Sequence, residues 1–358
     1  MQIALSLLKN ALNRAAVVMD SNPIIPALGN ILLSFTEKEM VVKSSKGGRV
    51  SLEQRYEGNF SPCELLLPMN IVGYLNSLPE QPISLKVNKK SVNIRHSKGK
   101  HSFPLEGSKD FIVFPEAGEN EVTLDAQELK DGVLSCQSFS NKKENLLTQF
   151  HCVCIGPHFI GAATGGEKCA KMEIPYEGKF EAMSVSNEGI KAFELMPDSG
   201  MVSSYQGDRH ICFEWEGNRL FMAKQENPFP VDAFLDIMRS EYVKGVEVDA
   251  EEIKGCLRRI KAVLDPLSEG SVKLYTEGGS LMMTNGTAFE AIKCEGELKL
   301  AVVKIGDLIS AVVKMVGDVE IGQIGDMGTM LKNDNFEVVL TNLYNVEQKI
   351  ESAKKEFG

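Results

Sequence analysis

Residues 161–170 read GAATGGEKCA, a glycine pair followed directly by Glu167, Lys168 and Cys169. Two chemistries use such residues. A phosphate-cradling loop requires Gly-x-x-x-x-Gly-Lys-Ser/Thr between a strand and a helix, so that backbone N–H groups and the lysine surround the phosphates. Here the spacing is different, and Pro175 and Gly178 downstream punctuate strands and turns instead of opening a helix. A nucleophilic thiol at Cys169 would need a base held beside it. The five histidines suggest no such pair. The eight cysteines (Cys63, Cys136, Cys152, Cys154, Cys169, Cys212, Cys256 and Cys294) form no Cys-x-x-Cys and no zinc-like spacing with histidine. They read as reduced, mostly buried thiols, with Cys152 and Cys154 on one side of a strand. No cofactor, metal site or enzyme activity is expected.

The elements that would position these residues come from the whole chain. Its 358 residues predict two or three domains. With 43% hydrophobic and 25% charged residues the composition is that of a soluble globular protein. No apolar run approaches the ~20 residues of a membrane helix. The N-terminal stretch carries Lys9 and Arg14 within its apolar pattern and has no small-residue cleavage site, so it does not read as a signal peptide, and a cytoplasmic location is expected. A net charge of −10 argues against a simple basic nucleic-acid binder, although charge can be segregated along the chain.

Internal repetition organises the sequence. VTLDAQELKDGV (122–133) and VEVDAEEIKGCL (246–257) match in register, and IALSLLKNALNR (3–14) fits the same template, with Lys9 under Lys130 and Lys254. Each reads as a short strand turning into a helix, with Asp125 and Asp249 as N-terminal caps. A second helix recurs at 67–79, 185–197 and 303–315, and strand-like runs such as NILLSF, QFHCVCI and SVKLYT lie between the two. The alternation predicts an α+β fold of three repeated domains, each with two helices packed on antiparallel sheets. Joined edges would remove the exposed strands that invite aggregation.

Head-to-tail units close into a ring when their rotation divides a circle, and three per chain imply a ring completed by a second chain. Twelve helices roughly 10 Å apart describe a circle about 38 Å across. Subtracting one helix diameter leaves a hole of roughly 28 Å, wide enough for a hydrated duplex. The helical windows 5–19, 127–146, 251–264, 68–78, 186–196 and 304–315 sum to +4 and the rest of the chain to −14. The densest cluster is Lys254, Arg258, Arg259 and Lys261. A solvated helix face is the competing reading; a lining that slides on phosphates without reading bases is the functional one.

SNPIIPALGNILLSF (21–35), LLLPMNIVGYLNSLP (65–79), SFPLEGSKDF (102–111), GAATGGEKCA (161–170) and ENPFP (226–230) resemble, in order and spacing, the bacterial DNA polymerase III beta subunit, the sliding clamp. The resemblance covers about residues 1–344. It implies clamp domains at 1–117, 118–238 and 239–344, followed by a polar tail at 345–358, and a homodimeric six-domain ring without catalytic activity. The implied partners are encircled double-stranded DNA, the polymerase III catalytic subunit, the clamp loader and repair proteins carrying a clamp-binding peptide. No membrane partner is implied. A ring-like peptide-binding scaffold that no longer loads on DNA is the alternative.

Carried over by the resemblance, Thr164, Gly166, Glu167, Lys168 and Cys169 would line the partner-peptide groove with Pro230 and Leu235. Met327, Thr329, Val338, Val339, Leu340 and Asn342 would complete it. The family's loop reads Thr-Asp-Gly-His-Arg-Leu-Ala, so Gly165, Lys168 and Cys169 depart from it, and Lys168 offers less bidentate contact than arginine. Lys9, Arg14, Lys130, Lys142, Lys143, Lys254, Arg258, Arg259 and Lys261 would face DNA. Phe103 and Leu105 would pack against Ala262, Val263 and Leu264 of the other chain, with core packing in one chain as the competing reading.

Overall fold

The computed structural model describes residues 1–20, 22–118, 120–140, 152–156, 158–164, 167–177, 181–224, 229–264, 270–325 and 328–343. One order of elements recurs three times. The first pass runs β1 (Gln2–Ala4), α1 (Leu5–Val17), β2 (Asn30–Phe35), β3 (Glu39–Lys46), β4 (Val50–Glu57), β5 (Cys63–Pro68), α2 (Asn70–Asn76), β6 (Pro82–Val87), β7 (Ser91–His96) and β8 (Gly99–Pro104). The second runs β9 (Asn120–Asp125), α3 (Ala126–Cys136), β10 (Cys152–Gly156), β11 (Phe159–Thr164), β12 (Lys168–Glu173), the short β13 (Tyr176–Glu177), β14 (Met183–Ser186), α4 (Asn187–Ile190), β15 (Met201–Gln206), β16 (His210–Trp215) and β17 (Asn218–Ala223). A helix that the sequence reading treated as a link, α5 (Val231–Met238), follows. The third runs β18 (Tyr242–Asp249), α6 (Ala250–Ala262), β19 (Ser271–Glu277), β20 (Ser280–Thr284), β21 (Phe289–Lys293), β22 (Ala301–Lys304), α7 (Ile305–Val312), β23 (Asp318–Ile324), β24 (Gly328–Lys332) and β25 (Phe336–Thr341).

Local chemistry sets the helix starts. Asp249 Oδ1 accepts from the backbone N–H groups of Glu251 and Glu252 at 2.9 and 3.1 Å. Asp125 Oδ1 accepts from Glu128 N at 2.9 Å. Both satisfy donors that the helix itself leaves unpaired. Ala4 at the start of α1 has no side-chain cap. In the second pass the expected second helix is shortened: after one α turn it continues as a 3₁₀ segment, Lys191–Leu195.

The chain divides into two compact units, and the division falls inside α3, after Lys130, and again after Asn187. Unit one contains Met1–Lys130, Tyr176–Phe180 and Glu188–Glu226. It holds a four-stranded sheet, β1-β6-β7-β8, and a nine-stranded one, β13-β9-β15-β16-β17-β4-β3-β2-β5. Leu5, Leu8, Leu12 and Ala15 of α1 join Ile71 and Leu75 of α2 in a core with Ile31, Leu33, Ile83, Val92, Ile94 and Phe103. A fully buried leucine contributes about 1.5–3 kcal/mol, so this core, not helix propensity, holds the seven-residue α2 in place.

Unit two contains Asp131–Pro175, Glu181–Asn187 and Asn227–Gly358. Its sheets are the eight-stranded β14-β10-β11-β12-β25-β24-β23-β18 and the four-stranded β21-β20-β19-β22. The long sheet in each unit crosses from one pass to the next. In unit one β4 pairs with β17, Val50 opposite Met222 and Gln54 opposite Asn218. In unit two β12 pairs with β25, Lys168 opposite Leu340 and Met172 opposite Phe336. The two short sheets end on β8 and β21, and neither outer edge has a partner strand among the described residues.

Candidate functional site

Four strands of unit two bring the predicted groove residues into rows. Thr164, Lys168, Leu340 and Thr329 stand side by side across β11, β12, β25 and β24. The next row is Ala163, Cys169, Val339 and Met330, and the one after it is Ala162, Ala170, Val338 and Leu331. Successive residues of a strand point to opposite faces. The predicted set therefore divides: Cys169 and Val339 share one face, and Thr164, Lys168, Thr329, Val338 and Leu340 the other.

The Cys169 face is covered by α5 and the residues before it. Cys169, Val339 and Met330 pack with Phe159, Phe229, Phe234 and Met238, and Leu235 lies half-buried at the margin. Phe234 stacks on Phe159 at 5.7 Å between ring centroids and meets Phe229 edge-on at 5.1 Å. Its ring reaches over Gly161, where a Cβ would stand 2.6 Å from Cζ and 2.8 Å from Cε1 of Phe234. The Cys169 thiol donates to the Met238 thioether at 3.5 Å, and burial pushes its pKa up to about 12. A thiol so protonated is no nucleophile at neutral pH. Among the described residues no group of three or more His, Cys, Asp or Glu could hold a metal ion.

On the opposite face the polar groups are engaged. Thr164 Oγ1 donates to the Phe139 carbonyl at 2.7 Å. Lys168 Nζ lies 2.8 Å from Asp307 Oδ1 on α7 and 5.6 Å from the centre of the Phe139 ring. Asn342 is buried, its Oδ1 accepting from Val302 N at 3.0 Å. Glu167 is exposed and pairs with Lys304 at 3.4 Å. Among the described groove residues, accessible surface remains at Glu167, Pro230 and Leu235 together with half-buried Lys168. Gly166 and Met327 lie outside the described residues. The sequence reading missed Phe234, Met238 and Met330, although the spacing of Val231, Phe234, Leu235 and Met238 has the helical period that would have exposed α5.

The three lysines in equivalent positions do one job. Lys9 Nζ donates to the Leu78 carbonyl at 2.6 Å, Lys130 to that of Met196 at 3.4 Å and Lys254 to that of Met315 at 2.9 Å. Each places an ammonium at the C-terminal end of its repeat's second helical segment, where carbonyls lack helical partners and the dipole is negative. Lys130 also pairs with Asp198, and Lys254 with Glu251. Arg14 binds Gln54, the Leu195 carbonyl and Asn218. Its counterpart Arg259 is held by Glu290 at 2.7 Å and keeps that carboxyl below its ordinary range. Arg258 is 74% exposed in its side chain with only a 3.8 Å approach to Glu251, and Lys261 is exposed. Exposed Lys191 and Lys314 on the second helical segments were not anticipated. Lys142 and Lys143 lie outside the described residues.

At the edge strand β8, Phe103 is buried in its own unit's core and Leu105 packs half-buried against it. Tyr74, His101 and Phe103 cluster with ring centroids 4.7–5.3 Å apart. The Tyr74 hydroxyl is buried without a hydrogen-bond partner among the described residues. In unit two Ala262 is exposed, Val263 is 58% exposed and Leu264 half-buried, at the end of the helix that packs on β21.

The chain has the fold of bacterial DNA polymerase III beta subunits. It superposes on the Bacillus subtilis sliding clamp with a TM-score of 0.83 at 14% identity, covering 95% of this chain and 97% of that one. The Pseudomonas aeruginosa beta subunit matches with a TM-score of 0.82 at 17% identity, covering 95% and 98%. A putative beta subunit from Eubacterium rectale gives 0.82 at 16%, also over 95% and 98%. Neither a protein-family model nor a curated protein sequence matches.

Proposed function

We propose that the chain is a DNA sliding clamp: a non-catalytic homodimeric ring around duplex DNA that tethers the replicative polymerase, receives a clamp loader and acts in the cytoplasm. The observation that carries this reading is the pair of open edges, taken with the fold. Within the chain each pass joins the next by an antiparallel strand pair, β4 with β17 and β12 with β25. Only β8 and β21 are left over among those equivalent positions, and a second copy supplies each with its missing partner. In this reading the three passes are domains 1–117, 118–238 and 239–344.

The backbone favours one register for that junction. Cys294 N donates to Gly279 O, so alternate residues back along β21 bond inward and Ala291 and Lys293 present free N–H groups. Leu105 N donates to Lys90 O, which leaves Lys100 and Ser102 free on β8 by the same alternation. Ala291 opposite Ser102 of the partner satisfies both edges and puts Ile292 and His101 on the helix-covered face. Val263 and Leu264 then approach Phe103, Leu105 and the Tyr74 hydroxyl.

Arg258 and Lys261 are the cations of the proposed lining best placed to meet phosphates, because the equivalent lysines already cap helices. Partner peptides would bed on Pro230 and Leu235, at the margin of the α5 cluster, with Cys169 and Val339 beneath. Retention on a nicked circular duplex after incubation with a clamp loader and ATP, and release when the circle is linearised, tests the function. Peptide binding without retention on the circle would identify a scaffold instead.

A further inference from the structure

We propose that the outward face of the sheet β1-β6-β7-β8 binds the phosphate backbone of duplex DNA, as a contact separate from encirclement; the choice of this polyanion rests on the clamp reading. Residues 81–105 contain Lys86, Lys89, Lys90, Arg95, Lys98 and Lys100 and no acidic residue, within a chain of net charge −10. All six cations are exposed. None makes an ion pair with a described residue, whereas Lys130, Lys168, Lys254 and Arg259 are each paired with a carboxylate.

Strand alternation places three of them on one surface. Ile83, Leu85, Val92, Ile94 and Phe103 point into the core. Ser84, Lys86, Asn93, Arg95, Lys100 and Ser102 therefore point away from it. Ser84, Arg95 and Lys100 form one row across the sheet, and Lys86, Asn93 and Ser102 the next. Lys89, Lys90 and Lys98 extend the surface at the hairpin turns.

Arg95 directly opposite Lys100 sets like charges against each other, an arrangement that destabilises a strand pair unless an anion bridges it. Lysine and arginine interleaved with serine and asparagine are the side chains that contact phosphate oxygens. This face offers no aromatic ring for stacking unpaired bases, which favours duplex over single strands. It also offers no apolar wedge of the kind that enters a lipid surface.

The test uses the full chain, no clamp loader and a covalently closed circular duplex, which an intact ring cannot thread. Three phosphate contacts predict binding about 40-fold weaker at 200 mM than at 50 mM salt. The triple variant Lys86→Gln, Lys90→Gln, Arg95→Gln should lose most of that binding and salt dependence, with its sedimentation unchanged. It should still be retained on nicked circles after loading. Absence of closed-circle binding at 50 mM salt, or equal binding by wild type and variant, would overturn the proposal. So would preferential, charge-dependent capture of polyglutamate or phosphatidylglycerol vesicles. Failure of loader-dependent retention would count against the clamp reading and leave this measurement interpretable.

Discussion

Lys168 and Asp307 are separated by 139 residues, yet Nζ and Oδ1 meet at 2.8 Å with both side chains less than one-fifth exposed. The pair ties the β12 end of the second pass to the first turn of α7 in the third. Asp307→Asn would leave the ammonium without its counter-charge beside the Phe139 ring. Because the pair keeps some solvent contact, the expected loss is about 2–3 kcal/mol, below that of a fully buried pair. Urea unfolding should show this shift, and the double change Lys168→Met, Asp307→Leu should cost less than Asp307→Asn alone.

Gly161 is the floor beneath Phe234. Gly161→Ala should force the ring off the strand at a cost of about 1–3 kcal/mol, the usual range for overpacking. Adding Phe234→Leu should recover part of it. A thermal scan of the three proteins checks the coupling, and equal costs for Gly161→Ala in both backgrounds would mean that the ring does not bear on this glycine.

Glu320 receives Lys244 at 2.7 Å and Lys332 at 3.0 Å. Burial alone would raise its pKa, but the Lys244 ammonium, the Tyr242 hydroxyl and the Lys332 ammonium together outweigh that and hold it at about 2, against an ordinary 4.5. A folded pKa below the unfolded one stabilises the native state above the unfolded pKa, and the gain fades as pH falls toward the folded value. Glu320→Gln should therefore lower stability at neutral pH and flatten its dependence between about 4.5 and 2. Parallel acid-unfolding curves for wild type and variant would contradict this.

Ala291 carries a free edge N–H on β21 in the proposed register. Ala291→Pro removes that donor without touching the β20 ladder, since proline is tolerated where a strand's N–H faces outward. Sedimentation should shift toward monomer at micromolar concentration while circular dichroism stays unchanged. The control Lys273→Gln, on β19 two strands away from that edge, should remain dimeric.

Arg258 and Lys261 are expected to act through phosphates. Neutralising both should flatten the salt dependence of DNA association by about two units of slope. Lys254→Met should act differently: it uncaps the end of α7's segment at Met315 and should lower stability by about 1 kcal/mol, with little change in slope.

Local pattern was enough for the repeat. Strand alternation, the Asp125 and Asp249 caps and lysines at one helical position depend on neighbours a few residues away, so three passes of one α+β unit are legible in the chain. The burial of Cys169 agrees with the reading of the scattered cysteines as reduced, mostly buried thiols. Which face of a strand a residue serves was harder: a one-residue offset reverses it, and the family match alone placed Cys169, Lys168, Val339 and Leu340 on a single groove. Sheet register separates them. The roles of Lys9, Lys130 and Lys254 also required the folded chain, since their carbonyl acceptors lie 61–69 residues away and no local period records a contact made only when two helices pack. Tertiary structure likewise decided that β4 and β12 meet strands of the following pass, because hydrogen bonding along a sheet edge is indifferent to the sequence distance it spans.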